Sequence, residues 1–280
     1  MRLGTRGSRL ALVQARWVAA RLPGEVEIVE ITTAGDLRRA AGDKSRWTGA
    51  LERALLSGEI DLAVHSAKDV PGELAPGTAI AAIPAREDPR DVLVGAASLD
   101  ALADGARVGT SALRRRAQLL AVRPDLDVVD LRGNVDTRLG RLADGEVDAL
   151  ALAAAGLARL GRDDVTGTAP SGPVFVPAPG QGALLVQERA GDGRAAAVGD
   201  ARARNAVTAE RRVAARLGAS CQTAIGVHDD GVTLRAFAGL PDGSEWLVDE
   251  LPSGLADALA DRLLATGAAD LLARAEAMVA

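Results

Sequence analysis

Lysine is almost missing from this 280-residue chain: Lys44 and Lys68 are the only two, and the rest of its 33 basic residues are arginine. Tyrosine is absent, phenylalanine and histidine occur twice each, and cysteine once. A single cysteine excludes an internal disulfide and sets the expectation of a reducing, cytoplasmic location. The two histidines, His65 and His228, sit at no ligand spacing from Cys221, so no metal site is expected. Neither a Gly-x-Ser-x-Gly elbow, nor a phosphate-binding Walker loop, nor Gly-x-Gly-x-x-Gly is present, which removes the usual signatures of a hydrolase triad, an NTPase and a dinucleotide site. The longest apolar runs, such as Ala149 to Ala155, fall far short of a bilayer span. Met1-Arg2-Leu3-Gly4-Thr5 does not open a charged stretch followed by an apolar one, so no secretory signal is expected. A net charge of −5 argues against a nucleic-acid partner.

What remains is the profile of a soluble globular chain, 48% hydrophobic and 25% charged, long enough for two or three domains. Its drift towards Ala, Arg and Gly gives extra weight to a retained lysine or cysteine. The first eighty residues alternate helix-like and strand-like patterns: a helix over Arg9 to Leu22, a strand over Glu25 to Thr32, a helix over Ala50 to Leu56 stopped at Gly58, and a strand Ile60 to Val64. A second set follows, with Arg107 and Val108 leading into Gly109-Thr110-Ser111. After it come a helix Leu113 to Val122, a strand Asp127 to Leu131, a helix Val135 to Ala143 and a strand Ala149 to Leu152. This rhythm predicts parallel sheets with helices on both faces. Arg86 to Asp91 and the Pro- and Gly-rich stretch Ala169 to Gly182 read as crossings between domains. Beyond Asp200 a helix Ala201 to Leu217 precedes strands Gly231 to Leu240 and Ser244 to Leu251, joined by Pro241-Asp242-Gly243, and a final helix Ala256 to Val279. The expected class is α/β: two similar α/β domains and a smaller C-terminal α+β domain.

Three groups of residues could carry chemistry. His65-Ser66-Ala67-Lys68-Asp69-Val70-Pro71 follows a strand, where side chains are held firmly, and an aspartate beside an ammonium group stays ionised and can face a developing cation. A solvated turn with a packed histidine accounts for the same residues. Arginines gather at turns and helix starts: Arg6 near Ser8, Arg114 and Arg115 after Ser111, Arg132 before Gly133-Asn134, then Arg138 and Arg159. Strand-to-helix junctions attract anions, and guanidinium forks match carboxylates, so these positions suit a ligand with several carboxylates. Solvated surface arginines are the alternative. Cys221, in Gly218-Ala219-Ser220-Cys221-Gln222, is either a small buried hydrophobe or an exposed attachment point. The residues by themselves reach a multidomain α/β protein that binds an anionic small molecule. A non-enzymatic binding protein on that scaffold and a cysteine-nucleophile enzyme both stay open.

Taken in order, several segments resemble the porphobilinogen deaminase (hydroxymethylbilane synthase) family: Gly4 to Gln14, Asp61 to Pro71, Arg86-Glu87-Asp88-Pro89-Arg90-Asp91, Gly109 to Arg115, and Leu131-Arg132-Gly133-Asn134-Val135. Ala155-Gly156-Leu157, Pro179-Gly180-Gln181-Gly182-Ala183 and Thr208-Ala209-Glu210-Arg211 leading into Cys221 complete the set. The resemblance implies a cytoplasmic, monomeric transferase in tetrapyrrole synthesis, joining four porphobilinogen molecules head to tail with loss of ammonia, without nucleic-acid or membrane partners. It implies two periplasmic-binding-protein-like α/β domains, residues 1–85 with 180–198 and residues 86–179, and a third domain over 199–280. A dipyrromethane cofactor is implied on Cys221 through a thioether, with Lys68, Ser111, Arg114, Arg115 and Arg132 as further cofactor contacts. Asp69 matches the catalytic aspartate, and Arg6, Ser8, Arg138 and Arg159 match substrate-binding positions. Four departures stand out: Ala67 where the family usually has Met, a Gly42-Asp43-Lys44-Ser45-Arg46-Trp47 stretch short of the expected glycines, Asp136 in place of a small residue, and Thr223-Ala224 without the usual proline.

Overall fold

The computed structural model describes residues 1–37, 45–219 and 223–278. In chain order the strands and helices of the first stretch are β1 (Arg2–Thr5), α1 (Arg9–Ala19), β2 (Glu27–Glu30), α2 (Ala34–Leu37), α3 (Ser45–Leu56), β3 (Leu62–Ser66) and β4 (Thr78–Ala82). There follow β5 (Asp91–Val94), β6 (Arg107–Thr110), α4 (Leu113–Val122), β7 (Asp127–Asp130), α5 (Val135–Ala143), β8 (Ala149–Ala153), α6 (Ala154–Arg159) and β9 (Gly167–Thr168). The remainder comprises β10 (Leu184–Arg189), α7 (Ala201–Arg216), β11 (Ala224–Asp229), β12 (Thr233–Gly239), β13 (Trp246–Pro252), α8 (Ala256–Ala265) and α9 (Ala268–Ala277). The chain divides into two compact units, Met1–Glu87 with Gly180–Thr208, and Asp88–Pro179 with Ala209–Ala280.

The first unit is built on a five-stranded sheet in the order β2-β1-β3-β10-β4. β1 runs parallel to β2 and β3, whereas β10 is antiparallel to both β3 and β4. Alternation along β3 sorts its residues by face. Leu62 and Val64 join Leu3, Val18, Leu184 and Val186 in the core under α1, and Ala63 joins Leu51, Leu55 and Ile60 under α3. Each buried Leu or Val contributes about 1.5–3 kcal/mol of apolar burial, and two covered faces explain the nearly continuous apolar run of β3.

The second unit carries a sheet of the same plan, β7-β6-β8-β5-β9, with β6 parallel to β7 and β8 and with β5 antiparallel to its neighbours. Ala149 and Ala151 of β8 face the α4 core with Val108, Leu119 and Val128, while Leu150 and Leu152 face Leu139 and Leu157 on the other side. In the same unit the antiparallel sheet β11-β12-β13 packs α8, α9 and the end of α7 through Val213, Leu217, Val227, Leu234, Leu259 and Leu271. Ala224 and Phe237 join Ala117, Val174 and Val176 in a further cluster beside α4.

The architecture is mixed α/β with a small three-stranded C-terminal sheet, and three expectations need correction. The sheets are not wholly parallel: each of the five-stranded sheets contains one reversed strand, β10 or β5. The long C-terminal helix is two helices. Gly267 adopts φ +95°, a left-handed conformation that glycine tolerates without a Cβ penalty, and it ends α8 before α9 begins. The strand expected to stop at Val64 continues to Ser66, since β10 pairs with it through Leu185 and Leu184. Among the described residues no helix is long and apolar enough to cross a membrane.

Candidate active site

In the first unit, parallel β1, β2 and β3 end at one edge of the sheet, and reversed β10 begins there. Carboxyl ends of parallel strands are where open α/β sheets present ligand-binding loops. Arg6 and Ser8 follow β1, Asp36 follows β2, and Lys68 and Asp69 follow β3 in a short 3-10 turn over Ala67–Asp69.

Ser8 caps α1, its hydroxyl accepting from the Ala11 N–H at 3.3 Å. The Arg6 guanidinium donates through Nε, at 3.2 Å, and through Nη2 to Oδ1 of Asp36. Its face lies 4.0 Å from the centre of the Trp47 ring. Oδ2 of Asp36 accepts from the Thr33 N–H at 3.1 Å and the Thr33 hydroxyl at 2.7 Å. Burial pushes the Asp36 carboxyl upwards, but the hydrogen bonds from Arg6 and Thr33 outweigh it and hold the group below the usual carboxylate range.

The 67–69 turn rests on the segment that opens β10. The Ala67 N–H donates to the Ala183 carbonyl at 3.0 Å, and Lys68 Nζ donates to Oε1 of buried Gln181 at 3.2 Å. Gly180, at φ +76°, sits so close that a Cβ there would meet the Ala67 Cβ at 3.0 Å and the Lys68 nitrogen at 3.1 Å. The Pro-Gly-Gln-Gly motif and the His-to-Pro motif are therefore two sides of one contact. Ala67 is 1% exposed in that packing.

His65 is a buried structural residue. Its Nε2 lies 3.1 Å from Oε1 of Gln187, whose amide donates to Glu52 at 3.0 Å and to Thr78 at 2.7 Å. Burial pushes the imidazole down to about 4, with the Glu52 and Asp69 charges opposing that shift and Arg6 adding to it. His65 thus lies within the electrostatic reach of both Asp69 and Arg6. The half-buried Asp69 differs from the other strand-end carboxylates: no hydrogen bond or ion pair to its side chain is found among the described residues, while Asp36, Asp91 and Asp130 are each held by arginine.

The second unit repeats the pattern. Parallel β6, β7 and β8 end at one edge, and reversed β5 starts there with Asp91. Ser111 follows β6, and its Oγ accepts from Nη2 of Arg138 at 3.0 Å. Arg138 Nε donates to the Gly133 carbonyl at 2.9 Å, and burial lowers its guanidinium to about 10, helped by Arg115 and opposed by Asp130. Asn134 caps α5 by accepting from the Thr137 N–H. Arg132 is exposed and donates to Asp130 at 2.9 Å. Arg159 ends α6 and is half-buried. Arg114 and Arg115 are 5% and 7% exposed, and Asp91 divides its two oxygens between them at 2.6 and 2.8 Å. Arg114 also donates to Gln118 and the Val176 carbonyl, and Arg115 to the Ala151 carbonyl. These two guanidinium groups tie α4 to β5 and β8. The negative charge that Asp136 adds is met by Arg162, whose Nη1 donates to it at 3.0 Å.

Cys221 and Lys44 lie outside the described residues. Of the described groups, Asp36 and Asp91 were not singled out from the sequence, although each stands at the same strand-end edge as an arginine that was. Glu210, fully buried on α7, accepts from His228 Nδ1 at 3.2 Å and from the Asp229 N–H at 2.9 Å, joining α7 to β11.

A family model described as porphobilinogen deaminase, dipyromethane cofactor binding domain, matches residues 1–197. A porphobilinogen deaminase of Roseiflexus sp. (strain RS-1) is 47% identical over 298 aligned positions, covering 97% of this chain and 98% of the relative. The enzyme of the same description from Deinococcus radiodurans is 42% identical, covering 96% of this chain and 97% of its own length. Among solved structures, a periplasmic VFT2 domain of Bordetella pertussis BvgS matches with a TM-score of 0.42 at 14% identity, over 71% of this chain and 84% of that one.

Proposed function

The chain belongs to the porphobilinogen deaminase family, and from that premise we propose the roles its residues take in the reaction. The enzyme is a transferase that condenses four porphobilinogen molecules, with loss of ammonia, into the linear tetrapyrrole hydroxymethylbilane, and it uses a dipyrromethane cofactor.

Asp69 is the catalytic carboxylate. Its side chain is unengaged among the described residues, beside a turn braced by Gly180 and Gln181, and this single observation carries the assignment. As ammonia leaves porphobilinogen and a carbon–carbon bond forms, positive charge develops on the pyrrole ring. A fixed carboxylate that makes no other ion pair meets that charge without first giving up a partner. Low exposure strengthens the interaction relative to water. Arg6 and Ser8 hold substrate carboxylates at the edge of the first sheet. At the edge of the second, Arg138 and Arg159 do the same.

The polar strand ends fit a group carrying several carboxylates. Cys221 is the covalent attachment point, and Lys68, Ser111 and Arg132 hold the cofactor's acidic arms. Arg114 and Arg115 are assigned the same ligand; with their guanidinium groups anchored on Asp91, any direct contact is made by donors that Asp91 leaves over. When bound, the cofactor supplies the pyrrole end to which substrate units are added. Three domains, residues 1–85 with 180–198, 86–179 and 199–280, fit three sheets that each have an apolar core, with the Ala117, Val176, Ala224 and Phe237 cluster packing the second against the third in one compact unit. A monomeric state follows from the family resemblance, and the negative net charge and the single cysteine fit a cytoplasmic enzyme acting without nucleic acid.

Intact-mass measurement tests the anchoring. The purified chain is expected to exceed its sequence mass by one dipyrromethane, and Cys221→Ala to abolish the increment. An unmodified chain that still consumed porphobilinogen would defeat the tether. Asp69→Ala is expected to keep the fold and the thermal midpoint but to lose turnover by about a hundredfold or more; near-normal rates would remove its role.

A further inference from the structure

The Arg6 guanidinium is held from two directions at once. Asp36 takes its Nε and Nη2 through Oδ1. The other oxygen of Asp36 is fixed by the Thr33 N–H and hydroxyl, so both lone-pair ends of that carboxylate are committed. The Trp47 ring covers one guanidinium face at 4.0 Å, and the ring in turn lies against Gly35. A Cβ on Gly35 would come within 2.2 Å of the indole, so only glycine lets Trp47 lie there. Thr33, Gly35 and Asp36 belong to one turn after β2, which thus grips Arg6 by its side edge and by its face. Among the described residues Nη1 of Arg6 has no partner, which leaves the Nη1–Nη2 end of the fork for an incoming carboxylate.

We propose that Asp36, fixed by Thr33, is a positioning residue that orients Arg6 for end-on capture of a porphobilinogen carboxylate, with Trp47 pressed on the guanidinium face by Gly35 as the second wall. The proposal rests on the assignment of Arg6 as a substrate-carboxylate residue and adds the device that aims it. A planar fork loses most of its value when free to swing, because bidentate recognition depends on a preset plane. Neutralising Arg6 with a permanent partner weakens its long-range pull on any anion. What it gains is discrimination, since only a carboxylate arriving along the open end finds two N–H groups in line.

Steady-state kinetics of the holoenzyme separate this role from simple packing. Asp36→Asn is expected to raise KM for porphobilinogen about tenfold while kcat stays within about twofold, the pattern of lost ground-state and transition-state binding in equal measure. Arg6→Leu is expected to raise KM at least as much, and the double variant no further than Arg6→Leu alone, because the aspartate acts only through the arginine. Thr33→Val, which deletes one hydroxyl and keeps every charge, is expected to move KM the same way by about threefold; it serves if Asp36→Asn does not fold. A reading independent of turnover comes from Trp47 emission in a chain with Trp17→Phe and Trp246→Phe. Adding Asp36→Asn is expected to shift that emission to the red as the guanidinium leaves the ring. Unchanged KM in both Asp36→Asn and Thr33→Val, a lowered KM in either, or multiplicative effects in the double variant would overturn the proposal; a lowered KM would mark Asp36 as a competitor of the substrate. If Arg6→Leu itself left KM unchanged, the assignment of Arg6 would fall and this inference with it.

Discussion

His65 shows how a motif residue can belong to the scaffold and not to the chemistry. It sits four positions before Asp69, yet it is buried, bonded to Gln187 and held neutral near pH 7 because burial drives its imidazole down to about 4. The linkage has a definite sign. The unfolded chain binds a proton near pH 6.5 and the folded chain only near 4, so stability present above pH 6.5 is lost as pH falls through that window, by on the order of 3 kcal/mol. Urea midpoints measured from pH 7 to pH 4 are expected to fall, and His65→Gln to flatten the slope; an unaltered slope would show that His65 is not the group responsible. At this scale the sequence made Asp69, Lys68 and the turn arginines legible, since charged residues after strands stand out. It did not show that Arg114 and Arg115 converge on Asp91, or that Arg6 meets Asp36, because those partners lie 23, 24 and 30 positions away and only the fold brings them together.

At the scale of elements, α4 and α5 were readable to their ends, Leu113–Val122 and Val135–Ala143, because each carries apolar spacing between polar turns and Asn134 supplies a cap. β4, β5, β9 and β10 were not. They are two to six residues long, and β5 and β10 are central strands buried on both faces, where alternation vanishes. Their reversal also escaped a reading based on strand–helix alternation, since each is reached by a crossing and not through a helix. β5 depends on a charge cluster: Asp91 holds two guanidinium groups from the first turn of α4. Replacing it by asparagine would leave both arginines buried with half their partner gone. Asp91→Asn is expected to cost about 3–5 kcal/mol, read as a large drop in the thermal midpoint, and a shift of less than a few degrees would mean that the other acceptors of Arg114 and Arg115 suffice.

For the molecule as a whole, the carboxylate-bearing substrate meets a chain of the same sign, net −5, and many of its described arginines, Arg6, Arg114, Arg115 and Arg132 among them, are engaged with its own aspartates. Capture therefore depends on short-range forks and little on a long-range field. KM for porphobilinogen is expected to rise only about two- to threefold between 0.01 M and 0.3 M salt, checked by initial rates at fixed pH; a rise of tenfold or more would point to steering by an extended positive surface. The matching strand orders of the two large sheets were foreshadowed by the paired strand–helix patterns. The return of residues 184–189 to the first sheet carried no local signal, since a strand pairing more than a hundred positions back leaves no mark in its own composition. That return has a consequence for biosynthesis. As the nascent chain leaves the ribosome, the first unit lacks the strand that separates β3 from β4 until residue 189 has been made, whereas the sheet of the second unit has all its strands by residue 168. Of the two five-stranded sheets, the one begun first is thus completed last, and through that interval its unpaired strand edges are the surface a chaperone would meet.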